Sequence, residues 1–184
     1  MTTMSKPEPW LRGPVPEIPT LLQPAAHAFL LALESVEAAV SGITEDQLWI
    51  APGGAASIGF HLLHLTGSTD RLLTYARGES LSDLQRAALT AEGTLSPPYP
   101  ALDQLLAGWR SGVETALGQL AATPEAVLKD ARQVGRAKLP STVLGLLFHA
   151  SEHAQRHAGQ IVTTAKIVQG LQLGAAPRRE PVTG

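Results

Sequence analysis

Apolar residues recur every three to four positions along most of the chain, which is the spacing that places side chains on one face of an α-helix. Four long stretches follow this pattern, at about 21–40, 57–76, 101–122 and 141–169. In the first stretch, Phe29, Leu33 and Val36 fall on one side. Alternating apolar and polar residues, the mark of a half-buried strand, do not continue far enough to predict a sheet. The pattern predicts an all-α fold, a four-helix bundle.

Short polar motifs mark where helices begin and end. Thr44–Gln47 and Ser82–Gln85 have capping-box spacing, which predicts a short turn after residue 44 and a small helix after residue 82. Gly78 is expected to end the second long helix in a left-handed conformation. Ser141 is expected to cap the fourth.

The link between the second and third long helices covers about residues 77–100. A bundle helix of about 20 residues is roughly 30 Å long, and a link of this size can cross that distance. We therefore expect a long crossover between these two helices, which would run parallel. Short links would instead have predicted simple up-and-down order.

The two ends of the chain differ from residues 20–170, which are expected to form the bundle. Residues 1–19 contain prolines that forbid a continuous helix. These are Pro7, Pro9, Pro14, Pro16 and Pro19. We expect an extended arm there that packs on the bundle through Trp10 and Leu11. Residues 171–184 are predicted to be a disordered tail.

Composition narrows the classes of function. With 184 residues and 44% hydrophobic content, the chain suits one domain with a well-buried core. A net charge of −2 without a long Lys/Arg cluster argues against nucleic-acid binding. Because cysteine is absent, a metal site must use nitrogen and oxygen ligands, and a thiol nucleophile must come from a bound molecule. With no signal-peptide or membrane-spanning pattern, we expect a cytoplasmic protein without membrane contact.

Histidines are concentrated on two of the predicted helices. His153 and His157 on the fourth helix are four residues apart, so their rings are neighbours on one surface of that helix. The apolar stripe in which they lie indicates that this surface faces inward. An unsatisfied buried polar group costs about 1–3 kcal/mol, and a metal ion would satisfy both rings.

A third ligand can come from the second helix, where spacing leaves two choices. His61 and His64 are about 60° apart around that helix, so either ring can point inward. His149 lies one turn beyond His153, and we interpret it as an outer neighbour of the ligands or a pocket-lining residue. His27 is interpreted as structural or exposed.

Two segments resemble the DinB-like family of bacterial four-helix-bundle proteins, also called the DinB/YfiT group. They are SIGFHLLHLTGSTDRLL at 57–73 and HASEHAQRHAGQI at 149–161. The family pattern has a histidine seven residues after a Ser-Ile or Ser-Val start, followed on the last helix by HxxxH-x-GQ. Counting from Ser57 selects His64, and His153, His157 and Gln160 match the second part. The order and lengths of the helices agree over about residues 20–170.

The resemblance implies a divalent metal ion held by His64, His153 and His157, with open positions for water or substrate. Zinc is the default, and nickel or iron also suits imidazole ligands. Related members transfer low-molecular-weight bacterial thiols such as mycothiol or bacillithiol, or isomerise maleylpyruvate with a thiol, and many are homodimers. The family's usual arginine after the last histidine is replaced by Ala158, with Arg156 just before it. A role for an arginine at that place therefore does not carry over.

Further residues are candidates for the pocket around the ion. Gln160 lies just beyond His157, and Asp70, Arg71 and Tyr75 follow His64 along the second helix. Glu152 is a candidate acceptor for an imidazole N–H. Two functions follow. One is an enzyme in which the metal activates a low-molecular-weight thiol, or water, for transfer to a small substrate. The other is a non-catalytic metal-binding or stress-associated protein whose ion ties two helices together.

Overall fold

The computed structural model describes residues 6–173 of the chain. Four long helices dominate it, as the apolar pattern predicted. They are α1 Gln23–Val40, α3 Ile58–Ala76, α5 Leu102–Ala122 and α6 Val143–Leu173. Two shorter helices lie in the links, α2 Glu45–Leu48 and α4 Asp83–Gly93. The all-α bundle is therefore confirmed, and none of its described helices is long and apolar enough to cross a membrane.

The predicted helix starts of α2 and α4 are confirmed by reciprocal hydrogen bonds. The Thr44 hydroxyl accepts from the Gln47 backbone N–H, and the Gln47 side chain accepts from the Thr44 N–H. Ser82 and Gln85 form the same pair at the start of α4. Gly78 follows α3 with φ of 82°, the left-handed conformation expected of it.

A short antiparallel hairpin precedes α6, and the apolar pattern did not predict it. Its strands are β1 Ala131–Val134 and β2 Leu139–Thr142. Each strand has only four residues and β2 is largely exposed, so no long alternation marks them. The prediction that Ser141 caps the last helix is wrong because Ser141 belongs to β2. The Thr142 hydroxyl caps instead, accepting from the Gly145 N–H at 3.0 Å.

Facing residues define the order and direction of the helices. α1 packs against α6 and α5, and α3 packs against the same two helices, so α1 and α3 lie diagonally across the bundle. His61 faces His157 and His64 faces His153, which makes α3 and α6 antiparallel.

The third and fifth helices run parallel. Thr66 of α3 lies beside Gly108 of α5, and further along both helices the Gln119 side chain donates to the Leu73 carbonyl. The link that contains α4 therefore returns the chain along the length of the bundle. This is the predicted long crossover.

The core is apolar and closely filled. Phe29, Leu62, Trp109, Leu147 and Ile161 have no more than a trace of exposed surface, and they come from all four long helices. This packing fixes the separation of α3 and α6. The histidines that these two helices carry are therefore held at fixed distances from one another.

The N-terminal arm is attached by residues other than those expected. Trp10 and Leu11 are each 58% exposed, so the prediction that they pack on the bundle is wrong. The Trp10 indole instead donates to Glu8 of the arm itself. The arm is held by the Gln23 side chain, which bonds to backbone groups of the arm, and by the ion pair between Arg12 and Glu34.

The C-terminal end of the bundle extends slightly past the expected boundary. α6 continues through residue 173, beyond the boundary at 170. The remainder of the predicted disordered tail, residues 174–184, lies outside the described residues.

Leu147→Ala is expected to lower the free energy of unfolding by about 2–5 kcal/mol, because the side chain is fully buried against the core. Leu144→Ala, on the same helix but 37% exposed, is the matched control and should lose well under half of that. Urea unfolding followed by circular dichroism measures both. Equal losses would show that the interior face of α6 has been assigned wrongly.

Candidate metal centre

Three histidines from two antiparallel helices meet inside the bundle. α3 supplies His64, and α6 supplies His153 and His157 on successive turns. Nε2 of His64 lies 3.1 Å from Nε2 of His153. The ring centroid of His157 is 4.7 Å from that of His64 and 4.4 Å from that of His153. One nitrogen from each ring lies within 4.8 Å of the other two, an arrangement that can hold a metal ion.

The distances suit ligands that share an ion. Two nitrogens that each lie about 2.0–2.1 Å from zinc are roughly 3–3.4 Å apart, and the His64–His153 separation of 3.1 Å falls in that range. In addition, Nδ1 of His153 is buried without a hydrogen-bond partner among the described residues. The rings therefore present more nitrogen lone pairs and protons than the surrounding protein satisfies.

A buried carboxylate fixes the orientation of His64. Glu92 of α4 is 8% exposed, and its Oε2 lies 2.9 Å from Nδ1 of His64. Arg71 of α3 donates to both oxygens of the same carboxylate, at 2.5 and 3.2 Å. Burial raises the pKa of Glu92. Hydrogen bonds from His64 and Arg71, together with the charges of these residues, lower the pKa by a larger amount, so it lies below its usual value.

The ionised Glu92 determines which nitrogen of His64 carries the proton. A carboxylate only accepts hydrogen bonds, so Nδ1–H of His64 is the donor. In the neutral ring this leaves the lone pair on Nε2, the nitrogen that faces His153. The carboxylate thus prepares His64 for metal binding in the manner of the partners that orient metal-bound histidines in proteins.

Glu92 was not predicted from the sequence, where Glu152 was the candidate acceptor for an imidazole N–H. Glu152 instead lies on the outer side of α6, where it contacts His149 at 3.1 Å and Arg156 at 2.6 Å. Gly67, in the middle of α3, is the residue of the sequence that indicates a close neighbour at this place. A Cβ at that position would overlap the Glu92 carboxylate and the Arg71 guanidinium, so glycine leaves the room that α4 needs to approach.

The other histidines have separate positions. His61 is buried, with 6% exposure, and its Nδ1 lies 3.1 Å from Nδ1 of His157. One of these nitrogens must donate and the other accept, so His61 orients His157. His149 is half exposed, and its ring lies 5.6 Å from that of His153. His27 is a structural residue, because its Nε2 lies 3.0 Å from the Gly13 carbonyl of the arm.

Burial favours the neutral form of three of the clustered rings. Desolvation, and then the neighbouring histidines, lowers the pKa of His61 and His153 below its ordinary value. For His157 the same causes lower the pKa to about 4. Neutral imidazole is the form that binds a cation. Metal binding at pH 7 therefore does not have to displace the proton of a cationic ring at His153 or His157.

Two clefts are lined by neighbours of the histidine cluster, and Ala56 borders both of them. The first, called here the polar cleft, has a volume of about 550 Å³. Its wall includes His61, Arg156, Gln160, Thr163, Thr164 and Ile167. The second, called here the aromatic cleft, has a volume of about 390 Å³. Its wall includes Trp49, Phe60, Glu92, Leu95 and Tyr99.

The pocket residues expected from the sequence are not brought together. Gln160 lines the polar cleft, as expected of a residue next to the ligands. Arg71 does not line a pocket mouth, because its side chain is buried against Glu92. Tyr75 belongs to a separate cleft near Arg86 at the far end of α3. Asp70 is exposed and accepts from Gln85 of α4.

Comparison with protein families gives one match that spans most of the bundle. A family model described as the DinB superfamily matches residues 28–161, from within α1 to the part of α6 that carries the histidines. No curated protein matches the chain. The matched region contains all three clustered histidines and Glu92.

Glu92→Gln is expected to weaken metal binding about 10- to 100-fold, because the amide no longer provides the charged acceptor that orients His64. Competition with a chromophoric chelator measures the affinity. Glu152→Gln, which removes a carboxylate near His149 but not from the cluster, should leave the affinity unchanged. Equal affinities for the two variants would contradict the role assigned to Glu92.

The metal-free protein is expected to lose stability as the pH falls from 7 to 5. His157 has an ordinary pKa of 6.5 when unfolded but about 4 when folded, so over this interval the unfolded chain binds the proton and the folded chain does not. Urea unfolding with a chelator present measures the loss. His157→Gln should reduce the pH dependence, and an unchanged dependence would show that His157 is not desolvated.

Proposed function

Because the chain belongs to the DinB superfamily, we propose that His64, His153 and His157 bind one divalent metal ion and form the centre of an enzyme. The centre activates a low-molecular-weight thiol, or water, for transfer to a small substrate. The single observation that carries the proposal is the convergence of three imidazoles, with one nitrogen from each ring within 4.8 Å of the other two, at a partly exposed place in the bundle.

The donor set favours a catalytic ion. Three neutral imidazoles leave the full charge of a divalent cation in place, and at least one coordination position stays open. When bound there, such an ion lowers the pKa of a thiol or water that it contacts. Imidazole nitrogens suit zinc, nickel, iron and copper, and zinc is the default.

The surrounding residues hold the ligands rather than react. Glu92 bonds to the far nitrogen of His64, and His61 bonds to Nδ1 of His157. Both contacts restrict rotation of a ligand ring, which limits the entropy lost on metal binding. The His64 side chain is 23% exposed, so a small molecule can reach the cluster from solvent.

The absence of cysteine defines what a thiol reaction would need. The chain has no thiol of its own, so the nucleophilic sulfur belongs to a bound cosubstrate. With an alkyl chloride as acceptor, the sulfur–carbon bond forms as the carbon–chlorine bond breaks. Chloride leaves and the thiol proton passes to solvent.

A structural ion is the second candidate function, and one observation favours it. The two clefts are walled by neighbours of the three ligands, such as His61, Phe60 and Glu92, rather than by the ligands themselves. An ion closed off from both clefts would mainly tie α3 to α6. In that case its removal lowers stability, and no substrate turns over.

His153→Ala is expected to abolish stoichiometric metal binding and any thiol transfer, because it removes one of three ligands. Metal analysis of protein purified without a histidine tag should find about one equivalent in the wild type. Thiol consumption with monochlorobimane, tested with several bacterial thiols, measures transfer. The matched control is His61→Ala, which should retain the metal because His61 contacts a ligand but is not one.

Less than about half an equivalent of metal in the wild type would contradict both candidate functions. Full metal content without thiol consumption above the His153→Ala background would contradict the transferase and favour the structural ion. Loss of metal in His61→Ala but not in His64→Ala would overturn the choice of ligands.

A further inference from the structure

The aromatic cleft collects rings in a chain that has few of them. Aromatic residues make up only 4% of the sequence, with three Trp, two Tyr and three Phe. The wall of this cleft nevertheless contains one of each kind, Trp49, Tyr99 and Phe60. Core packing alone does not account for this, because Tyr99 is 42% exposed at the mouth of the cleft.

Close packing on its inner face holds the Trp49 indole in place. A Cβ at Gly59 of α3 would lie 2.7 Å from three carbons of the indole, so the ring rests directly on the helix backbone at a position that only glycine allows. On its outer face the indole stacks against Tyr99, with ring centroids 4.5 Å apart and planes inclined by 20°. The stacked pair forms one wall of the cleft, and Tyr99, 42% exposed, is its more exposed ring.

The third ring connects this wall with the metal centre. Phe60 lies next to Gly59 on α3, and its ring is parallel to that of His64, at 3° and a centroid distance of 5.9 Å. Glu92, which bonds to His64, also borders the cleft. A molecule in the aromatic cleft would therefore lie beside the residues that hold a metal ligand.

The polar cleft is lined by different side chains. Arg156, Gln160, Thr163 and Thr164 give it a guanidinium, an amide and two hydroxyl groups, and His61 lies at its inner end. These groups can hydrogen-bond to a ligand, and apolar residues such as Pro52 and Ile167 lie beside them. The two clefts thus differ in their side chains, and of the two only the aromatic cleft is lined by Trp, Tyr or Phe rings.

From this concentration of rings we infer that the aromatic cleft binds a small, planar aromatic molecule, which is the acceptor in the transfer reaction. Aromatic rings favour offset stacking on one another, so the partly exposed Tyr99 ring, held by its stacking on Trp49, favours an aromatic ligand over a saturated one of similar size. The assignment of the aromatic molecule as acceptor rests on the proposed function, whereas its binding does not.

The test uses the full-length, metal-free protein with no thiol present. Isothermal titration measures the binding of 1-naphthol and of decahydro-1-naphthol, a saturated molecule of similar size. We expect 1-naphthol to bind with 1:1 stoichiometry and about three- to tenfold more tightly than the saturated alcohol, the advantage of about one aromatic contact. Equal affinities, or no binding of 1-naphthol, would overturn the inference.

Variants locate the bound molecule. Tyr99→Ala should weaken 1-naphthol binding about three- to tenfold, whereas Tyr99→Phe, which keeps the ring, should not. Gly59→Ala should weaken it as well, because the added methyl group displaces Trp49. Arg156→Ala, in the polar cleft, is the matched control and should leave the affinity within about twofold. Unchanged binding in both Tyr99→Ala and Gly59→Ala would place the molecule elsewhere and refute the inference.

The result of the 1-naphthol binding test does not depend on whether the protein catalyses thiol transfer. A protein that binds 1-naphthol as described but consumes no thiol would contradict the proposed function alone. A protein that consumes thiol but shows no preference for the aromatic ring would contradict this inference alone.

Discussion

Four imidazole rings are packed between α3 and α6, and their buried nitrogens need partners. Every feature of the site follows from this requirement. Glu92 bonds to one side of His64, and His61 bonds to His157, but His153 keeps a buried nitrogen that no described residue satisfies. A cation would pair with the nitrogens of His64, His153 and His157 that converge between the two helices, where Nε2 of His64 now faces Nε2 of His153 at 3.1 Å. The same burial lowers the pKa of His61, His153 and His157, which favours the neutral form that binds a cation.

The crossover between α3 and α5 sets the direction of these helices and also contributes a residue to the site. A bundle in simple up-and-down order would join these helices by a short turn and would have no place for α4. Here the link crosses the length of the bundle, and α4 brings Glu92 against Arg71 and His64 on the way. Gly67 permits this approach because it has no side chain where the carboxylate lies. The charged pair is buried but compensated, since the carboxylate accepts from both a guanidinium and an imidazole.

The sequence predicted those features that periodicity and spacing govern. The long helices follow the apolar period, and the grouping of His64 with the α6 histidines follows from helical spacing and the family pattern. Glu92 could not be found in this way, because its contact depends on how a short helix docks from a distant part of the chain. Tyr75 was wrongly assigned to the pocket around the ion, because helical phase does not reveal how far along the helix axis a cleft extends. The packing of Trp10 on the bundle and the capping of the last helix by Ser141 were predicted wrongly, because hydrophobicity and capping propensity are properties of single residues. Neighbouring residues have these roles in the structure.

The central claim is that one ion binds between α3 and α6 through His64, His153 and His157. Anomalous diffraction from crystals of the protein grown with zinc, with data collected on both sides of the zinc edge, tests it most directly. The account predicts a single strong peak about 2.0–2.1 Å from one nitrogen of each of these three residues. No peak between the two helices, or a peak bound by His61 in place of His64, would contradict it.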